Sequence, residues 1–121
     1  MYANIYPLVV HKMRTVKQHF HKLKALCHGK GKTRNALIRS LKSDEVRTIC
    51  QCAANTLRGN VPLTKLQKTR LSRHKDTLRL LAKKKVSLKR KKKLLLQKGK
   101  GIFPFLLAPI LSAVASTLFP R

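Results

Sequence analysis

The chain has 121 residues, 29 Lys and Arg against three acids, and a formal charge of +26. A chain this short holds one thin-cored domain, and three carboxylates (Asp44, Glu45, Asp76) leave no pair for acid–base catalysis once two of them open a single helix. The charge repels itself unless a polyanion offsets it and equals that of about 45 Å of duplex DNA, which makes nucleic acid the expected partner; anionic membrane surfaces attract basic segments by the same force.

The first stretch, MYANIYPLVVHKMR, has no charged n-region and only a short apolar run, which argues against a secretory signal. It is acid-free, yet neither Ser-rich nor Arg-dominated as a transit peptide would be. Three cysteines, Cys27, Cys50 and Cys52, form no even-numbered framework, so a reducing compartment is expected. Val9, Met13, Val16, Phe20, Leu23 and Cys27 recur at steps of four and three, which predicts one basic amphipathic helix with Lys12, Arg14, Lys17, Lys22 and Lys24 on its other faces. Gly29 and Gly31 end it and supply a joint, which sets residues 1–32 apart as an N-terminal segment.

Residues 33–82 are expected to form a small helical domain. Ala36, Leu37 and Leu41 suggest a short helix before Ser43. SDEVRTICQCAANTLRG then specifies a helix with Ser43 as N-cap, Asp44 and Glu45 at the positive end of the dipole, and Gly59 in the left-handed position that closes it. Its apolar stripe is Val46, Ile49, Cys50, Ala53 and Leu57. The NVPL turn, blocked by Pro62, precedes a third helix capped by Thr64 and running through about Lys84, with Leu71, His74, Leu78 and Leu81 on one side.

Residues 83–101 form the basic segment. Lys83, Lys84, Lys85, Lys89, Arg90, Lys91, Lys92 and Lys93 place eight cations in eleven residues with no acid among them, and Ser87 can cap a short helix there. A charge run is usually a solvated face, but this density predicts phosphate contact; it also has the composition of a nuclear-localisation signal. The nearby run lacks aromatics, which favours duplex backbone contact over stacking on single-stranded bases. Residues 102–121 begin with IFPFLLAPILSAVASTLF, eighteen uncharged residues and about 27 Å as a helix, the lower edge of a membrane span, with Pro104 and Pro109 interrupting its first half. A tail anchor, a membrane-perturbing segment and a segment docking in another protein remain alternatives, with Phe103, Phe105, Leu106, Leu107, Ile110 and Leu111 as the contacting side chains.

Other chemistries find little support. Cys50/Cys52 and His19/His21 are each two apart, about 200° around a helix, and so do not converge on one ion; no metal and no cofactor are expected, with Cys50 in the core and Cys52 a half-exposed thiol. Cys27 and His28 have no orienting third group for nucleophilic catalysis, and His74 is read as a packed histidine. GKGKT, residues 29–33, lacks the spacing of a phosphate loop and follows no strand. No enzymatic activity is expected.

KGKGIFPFLLAPILSAVA resembles the end of the adenovirus precursor of the mu core peptide (pX), in which a very basic DNA-condensing run meets a Gly-rich protease site and a proline-punctuated apolar tail. CQCAANTLRGNVPLT and KKVSLKRKKKLLLQKGKG are similar to the pX-like core proteins of adintoviruses and Polinton-type elements, and the likeness covers roughly Asn35 to Phe119. It implies a virion protein that condenses double-stranded DNA in the host nucleus and in the particle, with a capsid protein or a membrane met by the tail. It also implies a viral protease acting between Lys100 and Gly101 in the Gly99, Lys100, Gly101 spacing, although the position that is aliphatic in the family is Gln97 here, with Leu96 one residue earlier.

The sequence therefore predicts an all-α protein, a small helical hairpin or three-helix unit packed around Val46, Ile49, Ala53, Leu57, Leu71, Leu78 and Leu81, with the N-terminal helix and the apolar tail appended. The expected function is non-enzymatic, sequence-independent DNA binding through Lys83 to Lys93. The alternatives are a membrane-active or tail-anchored protein, with Lys98 and Lys100 before the span and Arg121 after it, and a basic protein of ribosomal type.

Overall fold

The computed structural model describes residues 14–59, 61 and 63–118. Among them run seven helices and no strand: α1 (Arg14–Gln18), α2 (Phe20–His28), α3 (Gly31–Arg39), α4 (Ser43–Leu57), α5 (Lys65–Ser72), α6 (Lys75–Ala82) and α7 (Leu88–Leu118). Val9, Lys12 and Met13 of the expected N-terminal stripe, Asn60 and Pro62 of the turn, and Phe119 to Arg121 lie outside the described residues.

The helix boundaries follow local chemistry. Thr64 caps α5 in a reciprocal box, Gln67 N donating to Thr64 Oγ1 at 3.2 Å and Thr64 N to Gln67 Oε1 at 2.8 Å. Ser87 Oγ accepts from Arg90 N at 3.2 Å to start α7, and Gly59 takes φ +76° just past the end of α4. Ser43 is not the cap of α4: the chain turns in at Lys42, whose backbone N–H donates to Glu45 Oε1 at 2.7 Å. A carboxylate at the third helical position outcompetes the serine hydroxyl because it also serves the long-range contacts described below.

Further expectations are corrected. The helix expected from Thr64 to about Lys84 is two helices, broken at Arg73 and His74. Ser72 Oγ donates to Thr69 O at 2.7 Å, competing for the carbonyl that Arg73 N–H would use, and His74 restarts the chain so that α6 packs along α4 while both halves still reach α7. The N-terminal stripe is likewise divided at His19, with Val16 on α1 and Phe20, Leu23, Leu26 and Cys27 buried on α2.

The next correction decides the architecture. The apolar segment is no appendage, and the molecule is more than a three-helix unit: α7 touches all six other helices, and Ile102, Phe103, Leu106, Leu107, Ile110 and Val114 are fully buried at the centre of one continuous core. At roughly 1.5–3 kcal/mol for each large apolar side chain removed from water, these six side chains contribute on the order of 10 kcal/mol of burial to that core. Leu57, expected in the core, is 38% exposed. The helix α7 bends by 106° between its Leu88–Lys98 and Ile102–Ser112 arms, at the GKG step. That bend is why Pro104 does not interrupt the helix: it falls in the first turn of the second arm, where a backbone N–H has no intrahelical partner to lose.

Candidate nucleic-acid interface

The eight cations of the basic segment do not share one environment. Lys83, Lys84 and Lys85 lie exposed in the α6–α7 connection, and Lys89, Arg90 and Lys93 are exposed on the first arm of α7. Lys92 is half-buried and its Nζ donates to Leu41 O at 3.0 Å, tying α7 to the chain end of α3. Lys91 is only 6% exposed. The sequence carries the signal for this inversion: Lys91 falls three residues after Leu88 and four before Leu95, on the face that α7 turns inward. Six of the eight are thus presented to solvent and two face the protein.

Cations are exposed on every helix from α2 to α7, including Lys24, Arg39, Arg47, Lys68, Lys75 and Lys98. The acids do not balance them. Asp44 and Glu45 are both turned toward α2, where Lys22 Nζ donates to Glu45 Oε1 at 3.0 Å. The His19 ring lies between the two carboxylates, Nε2 3.3 Å from Asp44 Oδ2 and Nδ1 3.6 Å from Glu45 Oε2. Burial by itself raises the Glu45 carboxyl, but the Lys42 amide, the Lys22 ammonium and His19 outweigh it and hold it below the ordinary value. Asp76 is exposed and 3.7 Å from Arg79 Nη1 on its own helix.

An open cleft of about 670 Å³ lies between α4 and the α6–α7 connection. Arg47 reaches it from α4 and Arg58 from the cap of that helix, Lys84 and Ser87 from the connection, and Lys91 and Cys50 line it from opposite helices. No carboxylate lines it. Cys50 is buried, and burial raises its thiol against the opposing pull of Lys91. Cys52 is fully buried rather than half-exposed, its thiol pushed far up by burial and by Cys50, because it faces the interior of the helix bundle together with Ala53 and Ile49. Burial raises Cys27 also, so all three free thiols are poor nucleophiles. No group of three or more His, Cys, Asp or Glu side chains is gathered for a metal ion among the described residues.

Of the six side chains expected to meet a membrane or partner, Phe103, Leu106, Leu107, Ile110 and Leu111 are buried and Phe105 is half-buried, with Arg70 Cζ 5.9 Å from its ring centroid. No single helix among the described residues is long and apolar enough to cross a membrane; the two arms of α7 pass by length and composition only as a pair bent by 106°. Gly99, Lys100 and Gly101 occupy that bend. No family model, no curated protein and no solved structure matches the chain.

Proposed function

We propose that this protein is a non-enzymatic, sequence-independent binder of double-stranded DNA that neutralises backbone phosphates with Lys83, Lys84, Lys85, Lys89, Arg90 and Lys93. The observation that carries the reading is the imbalance of charge at the surface. A chain of +26 directs two of its three acids at an internal lysine and histidine and leaves cations exposed on six helices, so a polyanion is the ligand that relieves its self-repulsion. The role implied by the likeness to pX/mu-type core proteins, DNA condensation in a virion and in the host nucleus, is the biological form of this reading. Recognition by a viral protease at Gly99, Lys100 and Gly101 belongs with it: cleavage at the bend of α7 would part the basic arm from the core arm.

The membrane-active alternative, and docking on a capsid protein through Phe103, Phe105, Leu106, Leu107, Ile110 and Leu111, each call for those side chains to leave the core. The favoured reading needs no such opening.

The test is binding of the full chain to a duplex oligonucleotide across 50–300 mM salt, repeated with the six exposed residues changed together to Gln. The wild type should lose affinity steeply with salt and show no preference between unrelated sequences; the variant should keep its fold and have a log–log slope smaller by about 5, at ~0.9 per phosphate contact. A shallow wild-type slope overturns the proposal, as does flotation of the chain with anionic vesicles that nuclease treatment leaves unchanged.

A further inference from the structure

Four cations that converge on one cleft with no carboxylate among them repel one another, and an anion held in that cleft offsets the repulsion. Lys91 is only 6% exposed, and its ammonium makes no hydrogen bond or ion pair among the described residues yet is not itself sealed from solvent, so the stem is packed and the charged end opens outward. It lines the cleft between α4 and the α6–α7 connection, where Arg47, Arg58 and Lys84 add three more cations and no acid is present. The first turn of α7, started by Ser87, brings the positive end of a helix dipole to the same place. Arg47 on α4 and Arg58, the residue that caps its end, are eleven residues apart, about three turns along one face, which gives the cleft a cation at each end of this wall.

Its remaining wall is mixed, with Gln51 and Asn55 of α4 beside an apolar part. Ala54 from α4, Ala82 from α6, and Val86 and Leu88 from the start of the basic segment face the same space, and about 670 Å³ falls within the roughly 300–1,000 Å³ of small-molecule sites. A site with a recessed cation at one end and sides that are part apolar and part amide suits a ligand that joins a phosphate to a flat, hydrogen-bonding group. Simple surface contact with duplex phosphates would not require a lysine recessed in a cleft.

We propose that this cleft is a discrete phosphate-binding site, in which Lys91 holds the phosphate of a nucleotide-sized ligand and Arg47, Arg58 and Lys84 close around it. The phosphate has two sources with the same chemistry, a free mononucleotide or the phosphorylated end of a DNA strand. The site shares Lys84 with the exposed cluster but is centred on Lys91, and it goes beyond the proposed duplex binding.

The experiment is calorimetric titration of the full chain at about 0.3 M salt, where the screening length falls to roughly 6 Å and exposed contacts are weakened most. The probes are AMP, inorganic pyrophosphate, and a blunt duplex with or without a 5′-phosphate. The expected result is saturable binding, one per chain, that falls at least ~10-fold in Lys91→Met and less than ~3-fold in Lys32→Met, which removes one charge from the exposed side of α3. Lysine-selective acylation of the unmodified chain, read by mass spectrometry, gives a measurement that needs no variant: bound probe should slow labelling at Lys91 by several-fold and leave Lys32 unchanged. Lys91-dependent binding of AMP assigns the site to free nucleotides, and Lys91-dependent preference for the 5′-phosphorylated duplex assigns it to strand ends; either sustains the proposal. Non-saturable binding to every probe, or equal affinity in Lys91→Met together with unprotected Lys91, overturns it. Failure here leaves the salt-dependent duplex binding untouched, and a shallow salt slope there leaves this result untouched.

Discussion

Lys22 Nζ donates to Glu45 Oε1 at 3.0 Å across 23 residues, and the same oxygen accepts the Lys42 backbone N–H at 2.7 Å. One carboxylate therefore starts α4 and fastens it to α2, with His19 3.6 Å from its other oxygen. Replacing Glu45 by Gln keeps the shape but removes the charge facing the half-buried Lys22, and should lower stability by about 1–3 kcal/mol at neutral pH. The pH dependence follows from the sign of the shift. The folded carboxyl titrates below its ordinary 4.5, so its contribution is fully present above that value and is lost as pH falls through the lower folded one. Urea unfolding between pH 7 and pH 3 should show a steeper acid loss in the wild type than in Glu45→Gln; equal acid limbs would show that Glu45 is unimportant to folding.

Removing residues 102–121 should unfold the chain rather than release a trimmed DNA-binding domain. Ile102, Phe103, Leu106, Leu107, Ile110 and Val114 are what the other six helices pack against, and helices of 5 to 15 residues have little stability alone. A point change gives the graded version: Phe103→Ala should cost about 3–5 kcal/mol. Circular dichroism during a thermal ramp checks both. A truncated chain with a cooperative transition near that of the full one would mean that the core lies elsewhere.

How much of this was legible depended on range. The all-α class, the extent of α4, the Thr64 and Ser87 caps and the left-handed Gly59 rest on residues a few positions apart, and these signals sit in the sequence. The break at Arg73 did not show because Leu71, His74, Leu78 and Leu81 keep helical spacing straight through it. The place of Ile102 to Val114 was hidden for a deeper reason: eighteen uncharged residues look the same whether their surroundings are lipid or other helices. Six short basic helices, each with a narrow apolar stripe, needed a shared apolar partner, and the segment that looked like a tail supplies it. In the interface, a run of cations reveals density but not direction, and Lys91 was recoverable only from its register with Leu88 and Leu95.

Lys92 and Lys89 lie three residues apart on α7 and should respond oppositely to truncation. Lys92 Nζ bonds Leu41 O from a half-buried position, so Lys92→Ala should lower stability by about 1–2 kcal/mol and barely alter the salt slope of duplex binding. Lys89 is exposed, so Lys89→Ala should leave the melting temperature within a degree or two and reduce that slope by about 1. Thermal melts and salt titrations on the two variants form the check, and a slope lowered equally by both would mean that Lys92 leaves its carbonyl to meet phosphate.

Gly29 and Gly31 flank the joint between α2 and α3 and are required for different reasons. At Gly29 the backbone is ordinary, φ −68°, but an added Cβ would stand 2.8 Å from Ala25 O, the carbonyl that already accepts Gly29 N–H at 2.7 Å. Neither atom belongs to a flexible side chain, so the helix end must move, and with it the Gly29 carbonyl that accepts from Arg34 Nη1 at 3.1 Å. At Gly31 nothing lies near an added Cβ, but φ is +49°, where any side chain other than Asn or Asp costs about 1–2 kcal/mol. Alanine should therefore destabilise at both positions, by about 1–3 kcal/mol at Gly29 and about 1 at Gly31. Asparagine separates the causes: Gly31→Asn should recover most of the loss because Asn tolerates the left-handed region, whereas Gly29→Asn should not, since its Cβ meets the same carbonyl. Denaturant midpoints for the four variants decide it, and recovery by asparagine at Gly29 would mean that the clash is relieved by a small backbone shift.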